Sequence, residues 1–128
     1  MLFSCVMVTA SARETRIDPR WSYMRALALL IEEDDDGNLV YGADAIAYTT
    51  SGVDEVEVTV YFQQKSSSGW LTLATRSGHE NDILASASGT YKNPKSGVEY
   101  RIEVYATAYI DGREVEEVGP SYYYYTMP

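Results

Sequence analysis

The chain has 128 residues, 45% of them apolar, which suffices for one hydrophobic core but not two and excludes global disorder. No run approaches the ~18 apolar residues of a membrane-spanning helix. The formal charge of −9, from 10 basic and 19 acidic side chains, repels phosphate backbones and anionic lipid, which sets nucleic acid and membrane insertion aside.

Residues 1–12 are apolar and end on Ala10-Ser11-Ala12, the small-x-small pattern read by signal peptidase. The run lacks a basic start, so it reads as the tail of a secretory signal cleaved after Ala12. The rival reading is an extra N-terminal strand. Cleavage would remove Cys5, the one cysteine, and leave a mature chain without disulfides. Residues 13–20 are polar, carry Pro19, and read as a leader arm to a β domain over residues 21–128.

In residues 21–31, Tyr23, Arg25, Leu27, Leu29 and Ile31 alternate with Met24, Ala26, Ala28 and Leu30, a first strand whose buried face is ambiguous. Residues 32–38 form an acidic turn. Residues 39–49 follow as a second strand, with Tyr41, Ala43, Ala45 and Ala47 on one face. After Ser51-Gly52, the parity of Val56, Val58, Val60 and Phe62 points to the core, while Glu55, Glu57, Thr59, Tyr61 and Gln63 point to water. Residues 65–69 read as a loop, residues 70–76 as a strand with Leu71 and Leu73, and residues 77–82 as a second loop. Ile83, Ala85 and Ala87 give residues 81–88 a modest strand signal.

The clearest alternation follows. Tyr100, Ile102, Val104, Ala106, Ala108 and Ile110 fall on one parity; Glu99, Arg101, Glu103, Tyr105, Thr107 and Tyr109 fall on the other. Asp111-Gly112 supplies a tight hairpin turn, residues 113–118 return as the partner strand, and Gly119-Pro120 kinks the chain before Tyr122-Tyr123-Tyr124-Tyr125. About seven strands divided by turn signals predict an all-β fold, a single antiparallel β-sandwich.

Gly97-x-x-Tyr100-x-Ile102-x-Val104-x-Ala106 resembles the sixth strand of fibronectin type III modules, in which the tyrosine anchors a corner between the sheets. That module's tryptophan in the second strand is absent from residues 39–49. Pro19-Arg20-Trp21-Ser22-Tyr23, Tyr61-Phe62-Gln63-Gln64-Lys65, Trp70, Gly97-x-x-Tyr100-Arg101 and the Asp111-Gly112 hairpin occur in the order of a family of small secreted proteins from Gram-positive bacteria. This resemblance implies an immunoglobulin/fibronectin III-like fold and export, and it transfers no catalytic residue.

Catalytic chemistry is poorly supplied. His79 is the one imidazole, and Ser77, His79 and Asp82 lie too close in sequence to be taken as a triad, so it reads as a solvated loop residue. Acids are abundant, yet no carboxylate pair stands out. The acidic turn invites a calcium reading, but Asp34-x-Asp36-Gly37-Asn38 lacks the distal glutamate of an EF-hand, with Ala43 in that register. It reads as a solvated hairpin end, and neither a metal nor a cofactor is expected.

Aromatic residues carry the functional expectation. Twelve tyrosines suit strands and also offer amphipathic contact area. Tyr61, Gln63, Trp70, Tyr105 and Tyr109 are expected on one wet face, provided that their strands share a sheet. The bland alternative is cross-strand packing, worth ~0.2–1 kcal/mol per pair. The sequence thus suggests a secreted, non-enzymatic, monomeric binding module for an extracellular protein. A carbohydrate-binding module is the alternative, and a small hydrolase is the third reading.

Overall fold

A computed structural model describes residues 13–128. The expected signal segment, with Cys5, lies outside the described residues. Among the described residues, eight strands occur in chain order: β1 (Arg13–Arg16), β2 (Met24–Glu33), β3 (Leu39–Ala47), β4 (Glu55–Ser66), β5 (Gly69–Glu80), β6 (Leu84–Tyr91), β7 (Glu99–Ile110) and β8 (Arg113–Thr126). They form two antiparallel four-stranded sheets, ordered β1-β2-β3-β6 and β5-β4-β7-β8. The fold is a β-sandwich. The strand beyond the expected seven is β1, four residues of the polar arm paired along the outer edge of β2.

Alternation builds the core because only one parity of each strand can face the opposing sheet. Val56, Val58, Val60 and Phe62 of β4 are buried against Tyr41, Ala43, Ala45 and Ala47 of β3, and Tyr100, Ile102, Val104, Ala106 and Ala108 of β7 complete the same cluster. In β2 the buried face belongs to Leu27, Leu29 and Ile31. A bulge between Met24 and Ala26 changes the parity there, which brings Met24 inward as well. Phe62 stacks between Tyr41, at 4.4 Å, and Tyr100, at 5.5 Å between ring centroids. Such pairs add ~0.5–1.5 kcal/mol each beyond area burial. The Tyr100 hydroxyl accepts the backbone N–H of Lys95 at 2.9 Å and so fixes the β6–β7 connection.

Connections follow their turn chemistry. Asp111 (φ 52°) and Gly112 (φ 78°) are both left-handed, as a two-residue hairpin between twisted strands requires. In the acidic turn, Asp34 Oδ1 accepts the backbone N–H groups of Asp36 and Asn38, each at 2.9 Å. Its carboxylate organises the turn itself.

One expected loop is a strand. Residues 77–80 continue β5, with Ser77 opposite Thr59, Gly78 opposite Val58 and His79 opposite Glu57. Gly78 sits where β5 passes the backbone of β6, and a Cβ there would overlap the Ser86 carbonyl. The glycine that signals a loop in the sequence is instead a close approach between the two sheets.

On the other side of the sandwich, Glu116 joins the sheets. Its Oε2 accepts the N–H of Ser22, and its Oε1 accepts those of Tyr23 and Met24, all at 2.8 Å. Farther along β8, Arg16 donates to the Tyr122 carbonyl. Tyr123 and Tyr125 pack on the core, while Tyr122 and Tyr124 face outward, the division expected of an edge strand.

Candidate functional site on the outer sheet face

The outer face of β5-β4-β7-β8 collects the outward parity of both central strands. Pairing sets Gln63 beside Arg101, Tyr61 beside Glu103, Thr59 beside Tyr105, Glu57 beside Thr107 and Glu55 beside Tyr109. Tyr61, Gln63, Trp70, Tyr105 and Tyr109 therefore share one face, at three separate stations along it.

Trp70 and Gln63 belong to the first station, centred on Arg101. The Arg101 guanidinium carbon lies 4.2 Å from the Trp70 ring centroid and 4.3 Å from that of Tyr122, with Tyr124 at 5.9 Å. Its Nε donates to Gln63 Oε1 at 2.6 Å. The Gln63 amide donates in turn to Thr72 at 3.1 Å and to Glu103 at 3.4 Å. Gln63 is only 7% exposed, so its polar atoms serve this network and present little to solvent. Glu103 Oε2 accepts the hydroxyls of Tyr122, at 3.0 Å, and Tyr105, at 3.3 Å. A cation held between rings and wired through an amide to a carboxylate is stiff and largely preformed.

Leu73 packs on the core as its parity suggests, but Leu71 does not. A bulge lets Leu73 slip between the pairs Phe62–Ala74 and Gln63–Thr72, and Leu71 is 56% exposed beyond the core. Trp70 is nonetheless on the outer face, opposite Lys65.

Tyr61 and Tyr105 make the second station, edge to face at 6.0 Å and 85°. They line an open depression of about 460 Å³ with Glu57, Thr59, Glu103, Thr107 and Glu117. Here β8 departs from simple pairing: Tyr105 lies opposite Gly119-Pro120, between the pairs Val104–Ser121 and Ala106–Val118. Gly119, at φ 123°, leaves room for the Tyr105 ring, since a Cβ would meet the Val104 carbonyl and the ring itself. Glu117 then falls opposite Thr107 and reaches the depression, a placement invisible in sequence because it depends on that irregularity.

Tyr109 belongs to the third station. Its hydroxyl donates to Glu57 Oε1 at 3.2 Å, and its ring stacks on His79 at 6.1 Å and 14°. His79 pairs with Glu55 through Nε2, so it is a strand residue engaged by a carboxylate and not a loop histidine. That carboxylate is Glu55, across the sheet, whereas Asp82 instead accepts the backbone N–H of Ile83. No family model, curated protein or solved structure matches this chain.

The chemistry of this face is polarised. The Tyr122 phenol is held above its ordinary value of 10.0, first by its hydrogen bond to Glu103 and then by desolvation. Desolvation followed by Glu103 raises Tyr105, and desolvation followed by Glu57 raises Tyr109. All three phenols are neutral donors at physiological pH. Among the described residues, no three His, Cys, Asp or Glu side chains converge as a metal site would.

Proposed function

We propose that this chain is an extracellular binding module, without catalysis of its own, that engages its ligand through the outer face of β5-β4-β7-β8. The observation that carries the reading is the preformed array on that face: a ring-clamped Arg101, a satisfied Gln63–Glu103 network, and an open depression beside them. Preorganised aromatic and polar groups lose little entropy when a ligand docks. The opposite sheet's outer face also holds a depression, of about 260 Å³, but chiefly small residues such as Ala28, Gly42, Ser86 and Ser88 line it, and no aromatic ring does.

The proposal extends to a finer reading of the fold as immunoglobulin/fibronectin type III-like. Setting β1 aside, the order β2-β3-β6 over β5-β4-β7-β8 corresponds to A-B-E over C′-C-F-G of immunoglobulin and fibronectin type III-like sandwiches. Tyr100, at the start of the strand in the F position, bonds back to Lys95, as a tyrosine corner does. The resemblance to small secreted proteins of Gram-positive bacteria and the Ala10-Ser11-Ala12 pattern both favour export.

A carbohydrate-binding module is the second reading, favoured by Tyr124, 49% exposed and 5.7 Å from the Trp70 ring. Chemical-shift mapping of the isotope-labelled chain against neutral oligosaccharides and against acidic and basic peptides separates these readings. Perturbed amides are expected along the outward residues of β4 and β7. Perturbation confined to residues 34–38, or to the β3–β6 face, would refute the assignment of the face. Hydrolytic turnover lost in His79→Ala would make the chain an enzyme.

A further inference from the structure

Resting on the binding-face reading above, we infer that the depression lined by Tyr61, Tyr105 and Thr107 receives an arginine side chain presented by a basic segment of a partner protein. Three carboxylates, Glu57, Glu103 and Glu117, line it, and no cationic side chain does. Glu103 is already engaged by two phenols and an amide, and Glu57 Oε1 by Tyr109. Glu57 Oε2 and both Glu117 oxygens make no hydrogen bond or ion pair within the described residues. Thr107 adds a second, independent sign. It is only 8% exposed, lines the depression, and its hydroxyl has no hydrogen-bond partner within the described residues. The residue is packed in place while its hydroxyl stays open to the depression, where it can donate to or accept from a ligand's polar group.

The free acceptors identify the ligand class. They surround the depression without converging as ligands of one metal ion would. A guanidinium spreads five donors over a plane and can meet separated acceptors, whereas an ammonium is a compact point charge. The tyrosine rings supply cation–π walls. The protein already makes this arrangement for itself at the adjoining station, where Arg101 lies against Trp70 and Tyr122. A neutral sugar fits less well, because Tyr61 and Tyr105 stand at 85° to each other and cannot form one flat platform. The occupant is a protein segment because the depression is open and the Arg101 station, linked to it through Glu103, presents exposed Tyr124 as contact area for a backbone. The net charge of −9 steers basic partners toward the molecule.

The test titrates the full, isotope-labelled chain with a blocked Gly-Arg-Gly tripeptide, its lysine and citrulline counterparts, and cellohexaose. The arginine peptide is expected to shift the amides of Glu57, Tyr61, Tyr105, Thr107 and Glu117 saturably, with a dissociation constant on the order of 1 mM. Citrulline, which keeps the shape and lacks the charge, is expected to leave them unmoved. Glu117→Gln is expected to weaken binding about tenfold, the value of one charge-assisted hydrogen bond. Glu80→Gln removes the same charge from the edge of the sheet and is expected to change nothing. Both acids are exposed, so folding is not at risk in either variant. Equal weakening by the two variants, an equal response to citrulline, or no saturable response to the arginine peptide would overturn the inference. If cellohexaose alone shifts the same amides, the ligand class fails while the binding face stands. Shifts confined to residues 34–38 would end both.

Discussion

Removing the Glu116 carboxylate tests whether the two sheets depend on a single side chain at their open side. In the fold, Glu116 lies opposite Ala108 on the inward parity of β8, and its two oxygens take three successive backbone donors from Ser22, Tyr23 and Met24. Hydrogen bonds to a charged partner contribute ~1.5–3 kcal/mol each, but the three are not equivalent. Ser22 is exposed, so water replaces its partner at little cost, and Tyr23 is half-buried. Met24 is fully buried, and leaving its N–H unpaired costs ~1–3 kcal/mol. Glu116→Ala should therefore destabilise the protein by about 3 kcal/mol, a large share of the ~5–15 kcal/mol typical of a domain. For a domain of this size that lowers Tm by roughly 10 °C. Glu116→Gln keeps one acceptor oxygen and should fall about midway. Urea denaturation followed by circular dichroism measures both, with an unchanged m-value as the sign that two-state unfolding persists. A Glu116→Ala variant within ~0.5 kcal/mol of the parent would show that water satisfies these donors equally well and would refute the reasoning.

Val104 is fully buried at the centre of β7, so Val104→Asp should abolish cooperative folding, a loss of at least ~4 kcal/mol. A thermal melt like the parent's would mean that the register is wrong. Tyr122 should titrate above 10.0 in ring-carbon NMR, and Glu103→Gln should bring it back toward that value. Because folding raises this pKa, the associated stability is complete below pH 10 and is lost as pH rises through the folded value. A parent Tyr122 that ionises at or below 10 would contradict the Glu103 hydrogen bond. N-terminal sequencing of exported protein should begin at Arg13, and mature protein retaining Met1 would contradict a cleaved signal.

The central strands were legible because each is flanked on both sides and buried on one face, which forces period two on β4 and β7. The edge strand β5 was not. Most of its residues are exposed or half-buried, so its hydropathy carries no period, and Gly78 mimics a loop signal while serving a close approach to Ser86. The wet face followed from parity, including Arg101 and Glu103. Its chemistry did not, because the Arg101 clamp needs the cross-strand register that brings Trp70, Tyr122 and Tyr124 to one guanidinium. Glu117 enters the depression only through the irregularity at Gly119-Pro120, and no local pattern announces that. Glu116 reads as one acid in an acidic hairpin until the backbone of residues 22–24 is placed beside it.

The crossing of β5 and β6 has a bearing on how this strand-rich, tyrosine-rich chain stays out of cross-β association. Where Gly78 lets the two edges press together, one flank of the sandwich is closed by its own backbone, and an incoming strand meets a wall there. On the other flank, β1 offers only four residues within the described chain. The long remaining rim is β8, and it is interrupted at its middle by Pro120, which has no N–H to offer, next to a stretch carrying Glu114, Glu116 and Glu117. A neighbour adding to that rim could pair along the tyrosines or along the glutamates, but not through both. The tyrosines can thus stay ordered on the sheet face, open to a ligand's side chains, while the backbone beneath them gives a second sheet no continuous template.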